Sequence, residues 1–164
     1  MVVDTCCREG SGSKFACLLT IVVAAVATFW GTSGTAAAGT TLRINSGGPA
    51  VGSFAADAYF TGGSTATVSD AISGTSTPAV FQDERWGNWS YALPVANGAY
   101  TVKLYFAELY YRAPCAGRRV FSVDLGDTPA NPDIANLDIC AQVGPDAALV
   151  KTIPRSPRSR SSRR

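Results

Sequence analysis

The sequence predicts an all-β protein, an antiparallel β-sandwich of jelly-roll type, and three observations carry that reading. Short runs that alternate apolar and polar residues recur from Leu42 onward. Turn chemistry separates them, with 16 glycines in the chain and an Asn97-Gly98 dipeptide between two of the runs. No stretch of the body shows a convincing helical period. Short strands at this spacing point to a sandwich or jelly roll rather than to a parallel sheet with crossover helices.

The first element is a leader. FACLLTIVVAAVATFW, residues 15–30, is apolar but short for a membrane span, which needs roughly 20 residues. Small residues at Ala36 and Ala38 follow, the pattern a signal peptidase reads, so residues 1–38 are expected to be a signal peptide cut after Ala38 or an uncut signal anchor. Either way the chain is expected in the secretory pathway, secreted or in the endoplasmic reticulum lumen. The alternative is a protein held to a membrane by residues 15–30. Only with the leader uncut is a membrane a partner.

The expected strands are LRIN, AVFQ, SYALPV, YTVKLYFAEL, RVFSVDL, NLDICAQV and DAALVKTI. In YTVKLYFAEL the even residues Val102, Leu104 and Phe106 form the core face, and beyond Phe106 that face turns to Glu108 and Tyr110. In RVFSVDL the odd residues Phe121, Val123 and Leu125 face inward. Asn97-Gly98 predicts an antiparallel hairpin joining SYALPV to YTVKLYFAEL. The last stretch, residues 154–164, has charge without apolar content and is expected to be a disordered Arg/Ser tail.

Charge and cysteine content narrow the function classes. Residues 39–150 hold six Lys/Arg against ten Asp/Glu, while residues 151–164 carry six basic residues and no acid. The folded part is mildly acidic, which argues against nucleic acid as a partner. The chain has no histidine, which removes Ser-His-Asp and Cys-His catalysis and imidazole metal ligands. Its five cysteines include no CxxC spacing, so no structural zinc site is expected; no cofactor is expected either. Cys115 and Cys140 either bridge or remain free buried thiols; spacing alone leaves both open. Asn88-Trp89-Ser90 fits the N-glycosylation acceptor pattern.

Taken in order, LRINSGGPA, YFTGGST, VFQDERWGNWSYALPV, NGAYTVKLYFAELYY, RRVFSVDL and NLDICAQVG resemble the malectin family over about Leu42 to Ile153. The resemblance implies a malectin-like carbohydrate-binding domain over 42–153: a jelly-roll-like sandwich whose loops at one end hold glucose-containing oligosaccharides, with no catalytic activity and no obligatory metal. It also implies site residues: Trp86 in DERWGN, and Tyr110 and Tyr111 in FAELYY. Arg112-Ala113-Pro114 ends the strand, so two adjacent tyrosines can splay around one ligand. Their rings offer flat apolar faces to a pyranose while the hydroxyls stay free for sugar hydroxyls. A further family tyrosine has no counterpart in GGSTATVSD, and Tyr59 stands in from upstream. Trp89, Tyr91, Tyr100 and Tyr105 are read as packing. The domain is expected to be incomplete, missing terminal strands and an acidic sugar contact, because the chain turns to Arg/Ser after Ile153.

Two other functions compete. A glycoside hydrolase needs two carboxyls facing each other across the scissile bond, and Glu84 with Glu108 is the conceivable pair. An ectodomain that binds a protein or a cell-wall polymer, its sugar site degenerate, is the other.

Overall fold

A computed structural model describes residues 2–6, 20–25, 41–96, 98–126 and 132–155. Their strands are β1 (Val2–Cys6), β2 (Thr20–Ala25), β3 (Thr41–Ile44), β4 (Phe60–Thr67), β5 (Asp83–Ala92), β6 (Tyr100–Phe106), β7 (Phe121–Asp124), β8 (Ile134–Leu137) and β9 (Leu149–Arg155). They form a five-stranded sheet in the order β4-β5-β1-β7-β8 and a four-stranded sheet in the order β3-β2-β6-β9. Every pairing within the sheets is antiparallel, so the all-β antiparallel class is observed.

The alternation read in the sequence determines which side chains meet. Val102, Leu104 and Phe106 of β6 are fully buried, as are Phe121 and Val123 of β7 and the following Leu125. These residues pack with Trp89, Tyr91 and Leu93 into one core between the sheets. The Phe106 and Phe121 rings touch across it at 5.7 Å. A second apolar cluster of Ile72, Val80, Phe81, Ala107 and Leu109 lies beside it, against the opposite face of β6, where Tyr105 packs on Phe54 and Phe81.

Four local expectations change. The hairpin at Asn97-Gly98 does not form, because β5 and β6 lie in different sheets and the partners of β6 are β2 and β9. Both strands carry bulky inward faces, and these bury against each other across the sandwich rather than side by side. Asn97 itself lies outside the described residues. AVFQ is not a strand: Pro78–Phe81 is a 3₁₀ turn opened by Pro78, whose fixed φ suits a helical start. NLDICAQV breaks at Asp138, whose carboxylate accepts the Ala141 N–H at 2.9 Å and caps a short helix, α1 (Ile139–Val143). Finally, β4 went unread because FTGGSTAT is polar, glycine-rich and almost wholly exposed at a sheet edge.

Strands β1 and β2 lie inside the stretch expected to be a leader. β1 sits between β5 and β7, and β2 between β3 and β6, so removing residues 1–38 would take an interior strand out of each sheet. At the other end, β9 runs two residues into the expected tail. Arg155 pairs with Tyr100 and Pro154 with Thr101 on a sheet edge, where proline is tolerated. Residues 156–164 lie outside the described residues.

Candidate functional site

The site begins where β6 and β7 run out. Phe106 faces Phe121 across the core, and the next inward positions on the same register are Glu108 and Arg119. The apolar stack therefore continues as a buried ion pair, Arg119 Nη1 to Glu108 Oε2 at 3.1 Å, with both side chains about 2% exposed.

The other oxygen of that carboxylate shapes the loop. Glu108 Oε1 accepts the backbone N–H of Tyr110 at 3.0 Å and of Tyr111 at 2.9 Å. One carboxylate thus satisfies two consecutive donors as the chain leaves the strand. The Tyr110 and Tyr111 rings meet edge to face, 5.0 Å apart. Tyr110 is 62% exposed and Tyr111 half-buried, with the Arg119 guanidinium 5.3 Å from the Tyr111 ring centre. Further along, Arg112 bridges Asp70 and Asp146, and Cys115 is disulfide-bonded to Cys140 of α1 with Cα atoms 5.7 Å apart, an ordinary span for a bridge. The tyrosines are held out to solvent by a loop tied down at three points.

Glu84 on β5 belongs to the same cluster. Burial, opposed by Arg119 and reinforced by Glu108, leaves its carboxyl pushed up to about 7. Its Oε2 and the guanidinium nitrogens of Arg119 have no well-aligned hydrogen-bond partner among the described residues. Glu84 and Glu108 are 4% and 1% exposed, so neither carboxyl stands open to solvent.

The structure brings Tyr110 and Tyr111 together and connects them through Glu108 and Arg119 to Glu84. Trp86 lies two residues beyond Glu84 on β5, opposite Ser64, on the same face of the strand and half-buried. Tyr59 is elsewhere. It precedes Phe60, which pairs with Tyr91, whereas Thr67 at the tyrosine-loop end pairs with Asp83. The length of β4, at ~3.3 Å per residue, sets Tyr59 roughly 25 Å from that end. It is half exposed, with φ of 66°. Of the residues read as packing, Trp89, Tyr91 and Tyr100 are buried in the core and Tyr105 packs in the second cluster.

Sequence reasoning missed Arg119 and the part Glu84 plays. The signal was available for Arg119: it shares the odd register of Phe121, Val123 and Leu125, so a charge stood on the inward face of a strand.

At this end of the sandwich an edge-to-face tyrosine pair is displayed beside two buried carboxyls, Glu84 and Glu108. The Malectin domain family model matches residues 40–156, and the chain belongs to that family of carbohydrate-binding, non-catalytic domains. It is also similar to the kinesin-like protein KIN-14E of Oryza sativa subsp. japonica, 32% identical over 119 residues. That match covers 66% of this chain and 11% of the rice protein, so the chain spans only a small part of that relative. No solved structure matches significantly.

Proposed function

We propose that this protein is a non-catalytic module that binds glucose-containing oligosaccharides, with Tyr110 and Tyr111 stacking on a pyranose ring and Trp86 beside them. The observation that supports this best is the exposed edge-to-face tyrosine pair on a loop fixed by Glu108, Arg112 and a disulfide. Two fixed rings present apolar area with little ordering cost. Calorimetric titration of the full chain with maltose and nigerose tests it. Alanine at Tyr110, Tyr111 or Trp86 is expected to weaken binding by roughly 1–3 kcal/mol each. Unchanged affinity in all three variants would make these rings ordinary packing. A reducing-sugar assay on the same mixtures checks that nothing is hydrolysed.

For location we propose the secretory pathway, supported by the Cys115–Cys140 disulfide, since such bridges persist in oxidising compartments. The interior positions of β1 and β2 favour keeping the amino-terminal segment in the folded protein. Amino-terminal sequencing after expression in a secretory host separates the outcomes. A start near Met1 fits retention, and a folded product starting near Gly39 would show that the sheets close without those strands.

A further inference from the structure

We propose that the buried Glu108–Arg119 pair is the positioning device of the tyrosine site, fixing the Tyr110–Tyr111 backbone with one carboxylate oxygen and the Tyr111 ring with the cation paired to the other. The inference rests on the reading of that tyrosine pair as the sugar platform, and it assigns the platform's geometry to two residues that never reach the ligand.

Three features support it. The first is the split use of one carboxylate. Oε1 takes the Tyr110 and Tyr111 N–H groups while Oε2 faces Arg119, so the loop and the core layer share a single anchor. Two adjacent tyrosines in a continuing strand would point to opposite faces. Bending the chain over Glu108 instead brings the rings to 5.0 Å.

The second is the placement of the cation. Arg119 is 3% exposed, and its guanidinium sits 3.1 Å from the Glu108 carboxylate and 5.3 Å from the Tyr111 ring centre. A cation at this distance from a ring attracts it, the more so out of water. The third is the energetic character of the pair. A buried ion pair contributes little net stability compared with apolar residues of the same volume. None of the Arg119 nitrogens makes a well-aligned hydrogen bond among the described residues. Its effect is therefore on where things sit rather than on how tightly the fold holds.

The test uses the full chain and two double variants that remove the charges together, so that neither partner is left buried and uncompensated. Glu108→Ala with Arg119→Met deletes the N–H acceptor and the cation. Glu108→Gln with Arg119→Met keeps an acceptor oxygen and deletes only the charges. Amide hydrogen exchange by NMR reads the loop directly, with the Val102 and Leu104 amides of β6 reporting on the fold.

In the Ala/Met variant the Tyr110 and Tyr111 amides are expected to exchange about tenfold faster or more, while the β6 amides stay protected. Its affinity for maltose or nigerose is expected to fall about tenfold. In the Gln/Met variant those tyrosine amides stay near wild-type exchange and affinity falls about threefold, the loss of the cation beneath Tyr111. Wild-type affinity and exchange in a folded Ala/Met variant would overturn the proposal. If that variant fails to protect β6, the Gln/Met variant decides, and unchanged affinity there would overturn the role of the cation. Should the wild-type chain bind no glucan oligosaccharide, the sugar reading fails by itself. The exchange of the two tyrosine amides still decides the positioning role.

Discussion

Arg85 and Arg119 are both buried, 4% and 3% exposed, yet they are held in opposite ways. Arg85 Nε and Nη2 donate to Asp57 Oδ2 at 3.0 and 2.6 Å, Nη1 donates to the Gly62 carbonyl at 2.8 Å, and the guanidinium stacks 3.5 Å from the Phe60 ring centre. Asp57 in turn accepts the Gly47 N–H at 2.8 Å and the Tyr91 hydroxyl at 2.5 Å. Burial, and then the bond to Asp57, raise Tyr91 above its ordinary range, so the hydroxyl stays protonated and donates. Gly47 closes the arrangement. With φ of 83° and a Cβ that would lie 2.1 Å from the Glu84 carbonyl oxygen, only glycine fits. Around Arg119, by contrast, the described residues supply an ion pair with Glu108, the Tyr111 ring and the nearby Glu84 carboxyl, and its nitrogens make no well-aligned hydrogen bond among them. A saturated buried network rigidifies its part of the fold, while an unsaturated one leaves a buried group's charge state open to change. The saturated cluster belongs to the scaffold, and the unsaturated one lies under the tyrosine loop.

The largest effect is expected in the saturated cluster. Asp57→Ala strips the acceptor from Arg85, Gly47 and Tyr91 at once and leaves a buried cation without its partner, a loss of about 3–5 kcal/mol. Urea unfolding measures it. A loss under ~1 kcal/mol would mean that Arg85 reaches water and that the two clusters do not differ as described.

Next comes the pH response of the unsaturated cluster. Glu84 keeps its proton up to about pH 7 when folded but releases it near its ordinary value of 4.5 when unfolded. Between those values the folded chain binds more protons, so its stabilising contribution, full below pH 4.5, is lost as pH rises through 7. A shift of this size corresponds to on the order of 3 kcal/mol. Glu84→Gln is expected to remove that slope and to be more stable than wild type at pH 8, as read by unfolding at a series of pH values. Parallel curves for the two proteins would show that Glu84 titrates alike in the folded and unfolded chain.

How far the sequence reached follows the same division. The registers of β6 and β7 were legible because alternation reports burial locally, and extending each register by one step finds Glu108 and Arg119 facing each other. The tyrosine pair was legible from FAELYY through family resemblance. Pairing across the sandwich was not. Asn97-Gly98 describes a turn but says nothing of which sheet the next strand joins, and the exposed β4 carries no hydrophobic signal. The strands β1 and β2 reach their neighbours from far off in sequence, a relation no local pattern encodes. Tyr59 was grouped with the tyrosine pair as the stand-in for a family tyrosine that GGSTATVSD lacks, and the length of β4 lies between them.

The smallest expected effects come from one substitution made in both regions. Tyr91→Phe removes a hydroxyl that bonds Asp57 at 2.5 Å and Ser46 at 2.6 Å, both in the interior. Stability is expected to fall by about 1–3 kcal/mol, the cost of leaving Asp57 short of a donor and the Ser46 hydroxyl short of an acceptor, with sugar affinity unchanged. Tyr110→Phe removes a hydroxyl from a ring that is 62% exposed. Stability there is expected to stay within ~0.5 kcal/mol, because no buried partner is orphaned. Affinity is expected to fall by about 0.5–1.5 kcal/mol if that hydroxyl bonds the sugar while the ring continues to stack. The same atom deleted twice thus separates scaffold from site: denaturant midpoints register the first and calorimetry the second. If Tyr110→Phe lowered the midpoint as much as Tyr91→Phe, the tyrosine loop would be part of the scaffold, and the contrast between the two arginine clusters would lose its functional meaning.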